Sequence, residues 1–244
     1  VKVLVLAGSG EARVLVTKLA QDPRHRVTAS LAGATREPVA LPVATRRGGF
    51  GSAQGFADYL RAQDIDAVID ATHPFAHRMT VRSFQVAAQS GVPYLLLLRP
   101  AWTPQAGDHW RLVDTEADVA ALVPDGSTVF LATGRQTLQE FSNLSGCQVI
   151  CRQIDAAEAP FPFSGGRFLI GRPPFSMQDE QDLFKRLGVD WLVVKNAGGA
   201  ASRTKLEAAR ALGLRVAMIR RPDYSGIPQV PDVDGAVAWL EGLA

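Results

Sequence analysis

The chain has 244 residues, a formal net charge of +2, 47% hydrophobic and 20% charged residues, which describes an ordinary globular protein with room for one large domain or two small ones. So small a charge gives no reason to expect a nucleic-acid partner, and aromatic residues at 7% argue against a base-stacking platform. No signal peptide precedes the first strand and no apolar run reaches about 18 residues, so a cytoplasmic protein without membrane contact is expected.

Residues 1–6 are β-branched and nearly all apolar, which suits a central parallel strand buried on both faces. Gly8-Ser9-Gly10-Glu11-Ala12 follow, opening a helix with Ala12, Leu15, Val16 and Leu19 on one face. Strand, glycine turn and helix start make an anion site, because the first helical N–H groups have no intrahelical partner. A dinucleotide pyrophosphate is the usual guest. The full G-x-G-x-x-G pattern would place a third glycine where Arg13 stands, and a plain tight turn would show the same two glycines.

Residues 26–31 read as a second strand, and no acid stands between Arg26 and Arg36 to hold a ribose 2′-hydroxyl. Ser30, Thr35 and Arg36 suit a 2′-phosphate instead, which favours NADPH/NADP over NADH; the other reading is a solvated loop with one ordinary arginine. A short third strand is expected at 41–44, then Arg46-Arg47-Gly48-Gly49-Phe50-Gly51, a loop needing unusual dihedrals or close backbone approach, then a helix over 52–63. Residues 66–70 form a fourth strand, leaving through Ala71-Thr72-His73-Pro74-Phe75-Ala76 into a helix that runs to about 89, and 92–98 a fifth. Gly8, Ser9, Gly10, Glu11, Ala12, Ser30, Thr35, Arg36, Gly49, Phe50, Thr72, His73 and Pro74 are the candidate cofactor contacts. The repeated strand, special loop and helix predict a parallel sheet with right-handed crossovers, its special loops on the one edge where open α/β sheets bind ligands.

Residues 99–126, rich in Pro and Gly around a helix at 115–122, break that rhythm and read as a linker. Strands then follow at 128–132, 148–152, 168–170, 191–194 and 216–219, with helices opening at 133–136 and over 177–187, 203–212 and 233–243. The fold expected is α/β, two Rossmann-like lobes with mainly parallel sheets and an interlobe cleft: an NADP(H)-binding domain over 1–98, the linker, and a second domain over 127–244 that contributes to substrate binding. Cys147 and Cys151 lack zinc-like partner spacing and read as reduced core thiols.

The second lobe has no dinucleotide loop but sets Arg135, Arg152, Arg172, Lys195, Arg203 and Lys205 at or near strand exits, where a polyanion would be welcome. Each alone is more simply a surface ion pair, except that Lys195 leads into Asn196-Ala197-Gly198-Gly199, a turn shaped for binding. Arg135, Lys195, Asn196, Gly198 and Lys205 are the candidate substrate contacts. His73 and His77 have helical metal spacing, but Pro74 intervenes and no third ligand is evident, so no metal is expected. His73, the one histidine inside a special loop, is the candidate catalytic residue; the Tyr-x-x-x-Lys dyad of short-chain dehydrogenases is absent, as are a Gly-x-Ser-x-Gly elbow and a Walker loop.

Ala7-Gly8-Ser9-Gly10-Glu11-Ala12, Gly48-Gly49-Phe50-Gly51, Asp70-Ala71-Thr72-His73-Pro74-Phe75-Ala76, Gly134-Arg135-Gln136, Lys195-Asn196-Ala197-Gly198-Gly199, Lys205-Leu206-Glu207-Ala208-Ala209 and Arg221-Pro222 occur in this order, and together they resemble the precorrin-6A reductases of cobalamin biosynthesis over nearly the whole chain. The resemblance implies NADPH-dependent reduction of one double bond of the contracted macrocycle to precorrin-6B, without metal or flavin. It also implies a polycarboxylate tetrapyrrole as substrate, in agreement with the cation set. His73, another group or water supplies the proton. Two readings of other classes stand beside it: a non-catalytic NADP(H)- or tetrapyrrole-binding module, and a two-lobed nucleotide-sugar transferase.

Overall fold

The computed structural model of the chain describes residues 1–32, 40–156, 159–200 and 202–243. In chain order these form β1 (Lys2–Ala7), α1 (Gly10–Leu19), β2 (Arg26–Leu31), β3 (Ala44–Arg47), α2 (Ala53–Ala62), β4 (Ala67–Ala71), α3 (His77–Gln89), β5 (Tyr94–Leu97) and β6 (His109–Val113). There follow β7 (Thr128–Leu131), β8 (Gln148–Gln153), β9 (Gly166–Ile170), α4 (Met177–Leu187), β10 (Trp191–Lys195), α5 (Thr204–Ala211), β11 (Arg215–Ile219), β12 (Gln229–Val230) and α6 (Val233–Glu241). Short 3-10 turns lie at Ala117–Ala121 and Leu138–Phe141.

The chain folds as two compact units, one of Val1–Pro100 with Pro222–Ala244 and one of Ala101–Arg221. Each holds a six-stranded sheet, ordered β12-β5-β4-β1-β2-β3 and β6-β11-β10-β7-β8-β9. Every neighbouring pair in both sheets is parallel. The strand order therefore reverses between β1 and β4 in the first sheet and between β7 and β10 in the second. Such reversal points open a crevice at the carboxyl ends of the strands.

Local chemistry explains the elements. Val3, Leu4, Val5 and Leu6 of β1 are wholly buried, as a strand covered on both faces demands. Ser9 caps α1 by accepting from the Ala12 amide at 3.2 Å, and Ala12, Leu15, Val16 and Leu19 turn inward as their spacing predicts. Ser176 and Asp179 form a reciprocal capping box on α4, which ends at Gly188 in the left-handed region. One face of the first sheet packs with α1 and α6, the other with α2 and α3.

The division differs from the one read off the sequence in two places. Residues 99–126 are not a linker: β6 pairs with β11 along its length, and Trp102 and Val119 are buried in the second unit. The last segment returns to the first unit, where β12 pairs with β5 and Ala236 and Leu240 of α6 enter the core against α1. Tyr224, at its start, donates to the Pro74 carbonyl at 2.7 Å. Two shifts are smaller. The third strand lies at Ala44–Arg47 rather than 41–44, and the turn after Gly134 leads only into the 3-10 segment at Leu138–Phe141. Cys147 and Cys151 are free and buried, and burial pushes the Cys151 thiol up to about 11. Among the described residues no helix is long and apolar enough to cross a membrane.

If α6 belongs to the first core, truncating it should cost what any core truncation costs. Leu240→Ala, at a fully buried site, should lower stability by about 2–5 kcal/mol in urea unfolding. A loss near zero would detach the C-terminal segment from that core.

Candidate active site

At the carboxyl edge of the first sheet, the exits of β1 and β4 meet. The Gly8 amide donates to the Ala71 carbonyl at 3.3 Å, and the Ser9 hydroxyl donates to the same carbonyl at 2.8 Å. A Cβ on Gly8 would stand a tight 3.3 Å from the Thr72 Cα, so a larger residue here would press on the backbone that crosses it. Gly10 is different: a Cβ there meets nothing within 4 Å among the described residues, so its smallness serves no packing within the chain. It opens α1, whose first N–H groups have no intrahelical partner, the Ala12 amide being met by the Ser9 cap.

The β4 exit is fixed from below. Asp70 is wholly buried; its Oδ1 accepts from the Thr72 amide at 2.9 Å and its Oδ2 from the Tyr94 hydroxyl at 2.7 Å. Burial, and then the Asp70 charge, push the Tyr94 phenol well above its ordinary value, so it stays a donor. The Thr72 hydroxyl beside Gly8 is buried and has no partner among the described residues. His73 is exposed, and its Nδ1 accepts from the Phe75 amide at 3.2 Å. Glu11 in the first turn of α1 pairs with Arg99 at 2.6 Å.

Farther along that edge, Ser30 and Arg46 are register partners on β2 and β3. The Arg46 guanidinium donates to the Ser30 hydroxyl at 2.7 Å and to the Gly48 and Gly49 carbonyls at 2.9 and 3.0 Å, and lies 3.8 Å from the Phe50 ring centre. Thr35 and Arg36 fall outside the described residues. Arg46 is thus the cation the structure sets beside Ser30. The signal for it was its place in the Arg46-Arg47-Gly48-Gly49 run, two residues before the first glycine.

In the second unit the strand exits gather two clusters on opposite faces of the sheet. On one, Lys195 lies 2.9 Å from Glu116 and donates to the Thr137 hydroxyl at 3.0 Å. Burial would raise the Glu116 carboxyl, but hydrogen bonds from Lys195 and Thr137 outweigh it and hold it below the ordinary range. Arg135, in the turn after β7, is exposed. On the other face, Arg152 grips Glu180 with two bonds of 2.7 Å, both side chains nearly buried. Lys205, at the start of α5, donates to the Ser202 carbonyl at 2.6 Å and lies 5.8 Å from the Trp102 ring.

Asn196 is buried and spends its amide on the Trp102 backbone, accepting from the amide at 2.8 Å and donating to the carbonyl at 2.9 Å. It holds the turn; Gly198 and Gly199 complete it with positive φ of 69° and 86°. Sequence reasoning missed Glu116, because it lay in the stretch read as linker. It also missed Gln153 at the end of β8, whose buried amide has no partner on either end among the described residues. A glutamine closing a strand carries no signal of that in sequence.

A family model for precorrin-6x reductase CbiJ/CobK matches residues 2–241. The chain is 43% identical to the precorrin-6A reductase of Rhodococcus erythropolis over 99% of this chain and 98% of that one. It is 42% identical to that of Rhodobacter capsulatus over 98% and 95%. A solved structure of CobK precorrin-6A reductase superimposes with a TM-score of 0.93 at 39% identity, covering 100% of this chain and 97% of that one. Cobalt-precorrin-6A reductase of Priestia megaterium is more distant, at 27% identity over 90% of each.

The Lys195–Glu116 pair has a checkable cost and pH dependence. Lys195→Ala should lower stability by about 3 kcal/mol, the lower end for breaking a buried pair. The folded-state carboxyl of Glu116 sits below its unfolded value of ~4.3, so its contribution is full above that value and disappears as pH falls through the folded one. Glu116→Gln should accordingly flatten the acid limb of a melting-temperature-against-pH curve. An unchanged acid limb would show that the pair contributes nothing to folding.

Proposed function

The chain belongs to the precorrin-6x reductase family, and on that premise we propose that it adds a hydride from NADPH and a proton across one double bond of precorrin-6A, giving precorrin-6B in cobalamin biosynthesis. It is an oxidoreductase acting on a CH–CH bond. The observation that carries the cofactor's place is the Thr72 hydroxyl, buried without a partner among the described residues beside Gly8 and the opening of α1. A buried hydroxyl left unmet costs about 1–3 kcal/mol, and a ligand oxygen would satisfy it.

The residues at that edge fit a dinucleotide. The first N–H groups of α1 receive the pyrophosphate, with Gly10 leaving the space it needs. Gly8, Ser9 and Ala12 shape that start; Glu11 is tied back by Arg99, which removes a carboxylate from the path of an anion. Ser30 and Arg46 take the ribose 2′-phosphate, with Gly49 and Phe50 fixing the guanidinium and Thr35 and Arg36 as further candidates. Thr72, His73 and Pro74 form the wall held by Asp70 and Tyr224. Bound there, NADPH supplies the hydride. In the second unit Arg135, Lys195 and Lys205 hold acetate and propionate carboxylates of the macrocycle, while Asn196 and Gly198 set the turn that presents Lys195. The substrate is a polycarboxylate tetrapyrrole and the compartment the cytoplasm. Proper alignment of ring and nicotinamide accounts for much of the rate.

Two variants test the cofactor assignment. Arg46→Ala should weaken NADPH by roughly 1.5–3 kcal/mol, the value of a charged hydrogen bond, and NADH much less; equal losses would leave Arg46 a purely structural role. Gly10→Val should abolish quenching of reduced-nicotinamide fluorescence without moving the melting temperature, since its Cβ meets no protein atom within 4 Å among the described residues. Normal titration by this variant would place the dinucleotide elsewhere. Anaerobic turnover of precorrin-6A, followed by loss of the reduced-nicotinamide absorbance, tests the reaction itself.

A further inference from the structure

Strand register sets a row of side chains along the carboxyl edge of the second sheet. Val193 pairs with Leu131, Leu131 with Cys151 and Cys151 with Phe168. Two residues farther on, side chains return to the same face, and there Lys195 ends β10, Gln153 ends β8 and Ile170 ends β9. The turn that follows β7 lies between Lys195 and Gln153, with the Gly134 carbonyl 3.8 Å from the Cys151 sulfur. This face is the one turned away from α4. Arg152 and Leu169, one residue before Gln153 and Ile170, point the other way, to Glu180 and to the core around Phe184. Neighbouring strands lie about 4.8 Å apart, so the row from β10 to β9 runs for roughly 14 Å.

The members of the row differ in chemistry. At one end the Lys195 ammonium is fixed by Glu116 and Thr137. At the other, Ile170 is 51% exposed, and Ile154, directly after β8, is exposed as well. Between them Gln153 is only 7% exposed, and neither end of its amide has a partner among the described residues. The strand does not use that amide: the Gln153 backbone carbonyl already accepts from the Gly171 amide at 2.9 Å. Two buried indole N–H groups of this unit, on Trp110 and Trp191, also lack partners among the described residues, but they lie toward the amino-terminal ends of β6 and β10. Gln153 is at the edge where the strands leave, in line with a cation.

We propose that Gln153 is a substrate-binding residue, its side-chain NH2 donating to a carboxylate arm of a macrocycle laid along this row. The inference rests on the reductase reading above. Lys195 meets a second arm, and Ile170 lies against apolar ring surface. A cation draws anions from any direction, whereas a neutral amide holds an arm only where an oxygen comes within hydrogen-bond distance. Gln153 therefore selects among polycarboxylates by the position of an arm, which charge alone does not do.

Gln153→Met keeps the length of the side chain and removes both polar ends. Equilibrium binding of precorrin-6A without NADPH should weaken roughly 10–100-fold, the value of one hydrogen bond to a charged group. KM in anaerobic turnover should rise by a similar factor, with kcat at saturation within a few-fold of wild type and NADPH titration unchanged. The melting temperature of the free protein should hold or rise, because a side chain that needs no partner replaces a buried amide that has none. That last readout separates a ligand contact from a structural one. Unchanged precorrin-6A affinity and KM overturn the proposal. So does a melting temperature lowered by several degrees, or a variant that does not fold, since the amide would then serve the fold. A wild-type chain that binds NADPH but neither binds nor reduces precorrin-6A overturns the reductase reading, and this assignment with it.

Discussion

The close passage of β1's exit across β4's exit is the constraint on which the first unit turns. Parallel pairing puts Ala7 level with Ala71, so the next residues of both strands leave the sheet side by side. A glycine passes there freely, whereas a Cβ on Gly8 would stand a tight 3.3 Å from the Thr72 Cα. That passage makes Ser9 available as cap and as donor to Ala71, starts α1 at Gly10, and sets the Thr72 hydroxyl against the turn. The second sheet repeats the strand order, and β7 and β10 leave it side by side through the Gly134 and Lys195 turns. One topological rule therefore locates both candidate binding edges, and chemistry distinguishes them: open backbone donors at one, cations at the other.

The two edges are also held differently. In the first unit a neutral and a charged group are buried together: Asp70 bonds the Thr72 amide and Tyr94, and Tyr224 secures Pro74 from the returning segment. Every polar atom of Asp70 has a partner, which is why a wholly buried carboxylate is tolerated. In the second unit the supports are ion pairs, Arg152 with Glu180 and Lys195 with Glu116, and the indole and amide lattice of Trp102 and Asn196. Beside these satisfied networks, several buried polar atoms have no partner among the described residues, the Thr72 hydroxyl and the Gln153 amide among them.

Much of this was legible in the sequence, and the gaps have physical causes. The periodicity of α1 and the apolar run of β1 fix local structure by themselves, and the glycine turn between them follows. Strand alternation cannot reveal a partner, so β6, with His109, Arg111 and Leu112 exposed at a sheet edge, reads as loop until β11 is seen beside it. The same holds for α6: its amphipathic pattern announces a helix, but nothing in the pattern says which sheet it covers. At the site, residue types near strand exits were readable while their pairing was not. Glu116 lies 79 positions before Lys195 in the chain, and no local rule joins them. Asn196 shows the converse: a polar residue in a binding turn looks like a ligand contact, yet its amide is consumed by the Trp102 backbone.

Pairing changes what a count of cations means. A cation held by a carboxylate at 2.9 Å, as Lys195 is by Glu116, attracts an incoming anion far less than a bare charge, because the pair is close to neutral at a distance. What it would offer a polycarboxylate is direction: with the ammonium already fixed by Glu116 and Thr137, little side-chain entropy would be lost on contact. Arg135 is the opposite case, exposed, so its attraction is screened over about 8–10 Å of salt solution. Lys205 differs from both: its ammonium is held by the Ser202 carbonyl at 2.6 Å beside Trp102 and the already paired Arg152 and Glu180, so burial and Arg152 lower its proton affinity and a carboxylate arriving nearby would raise it.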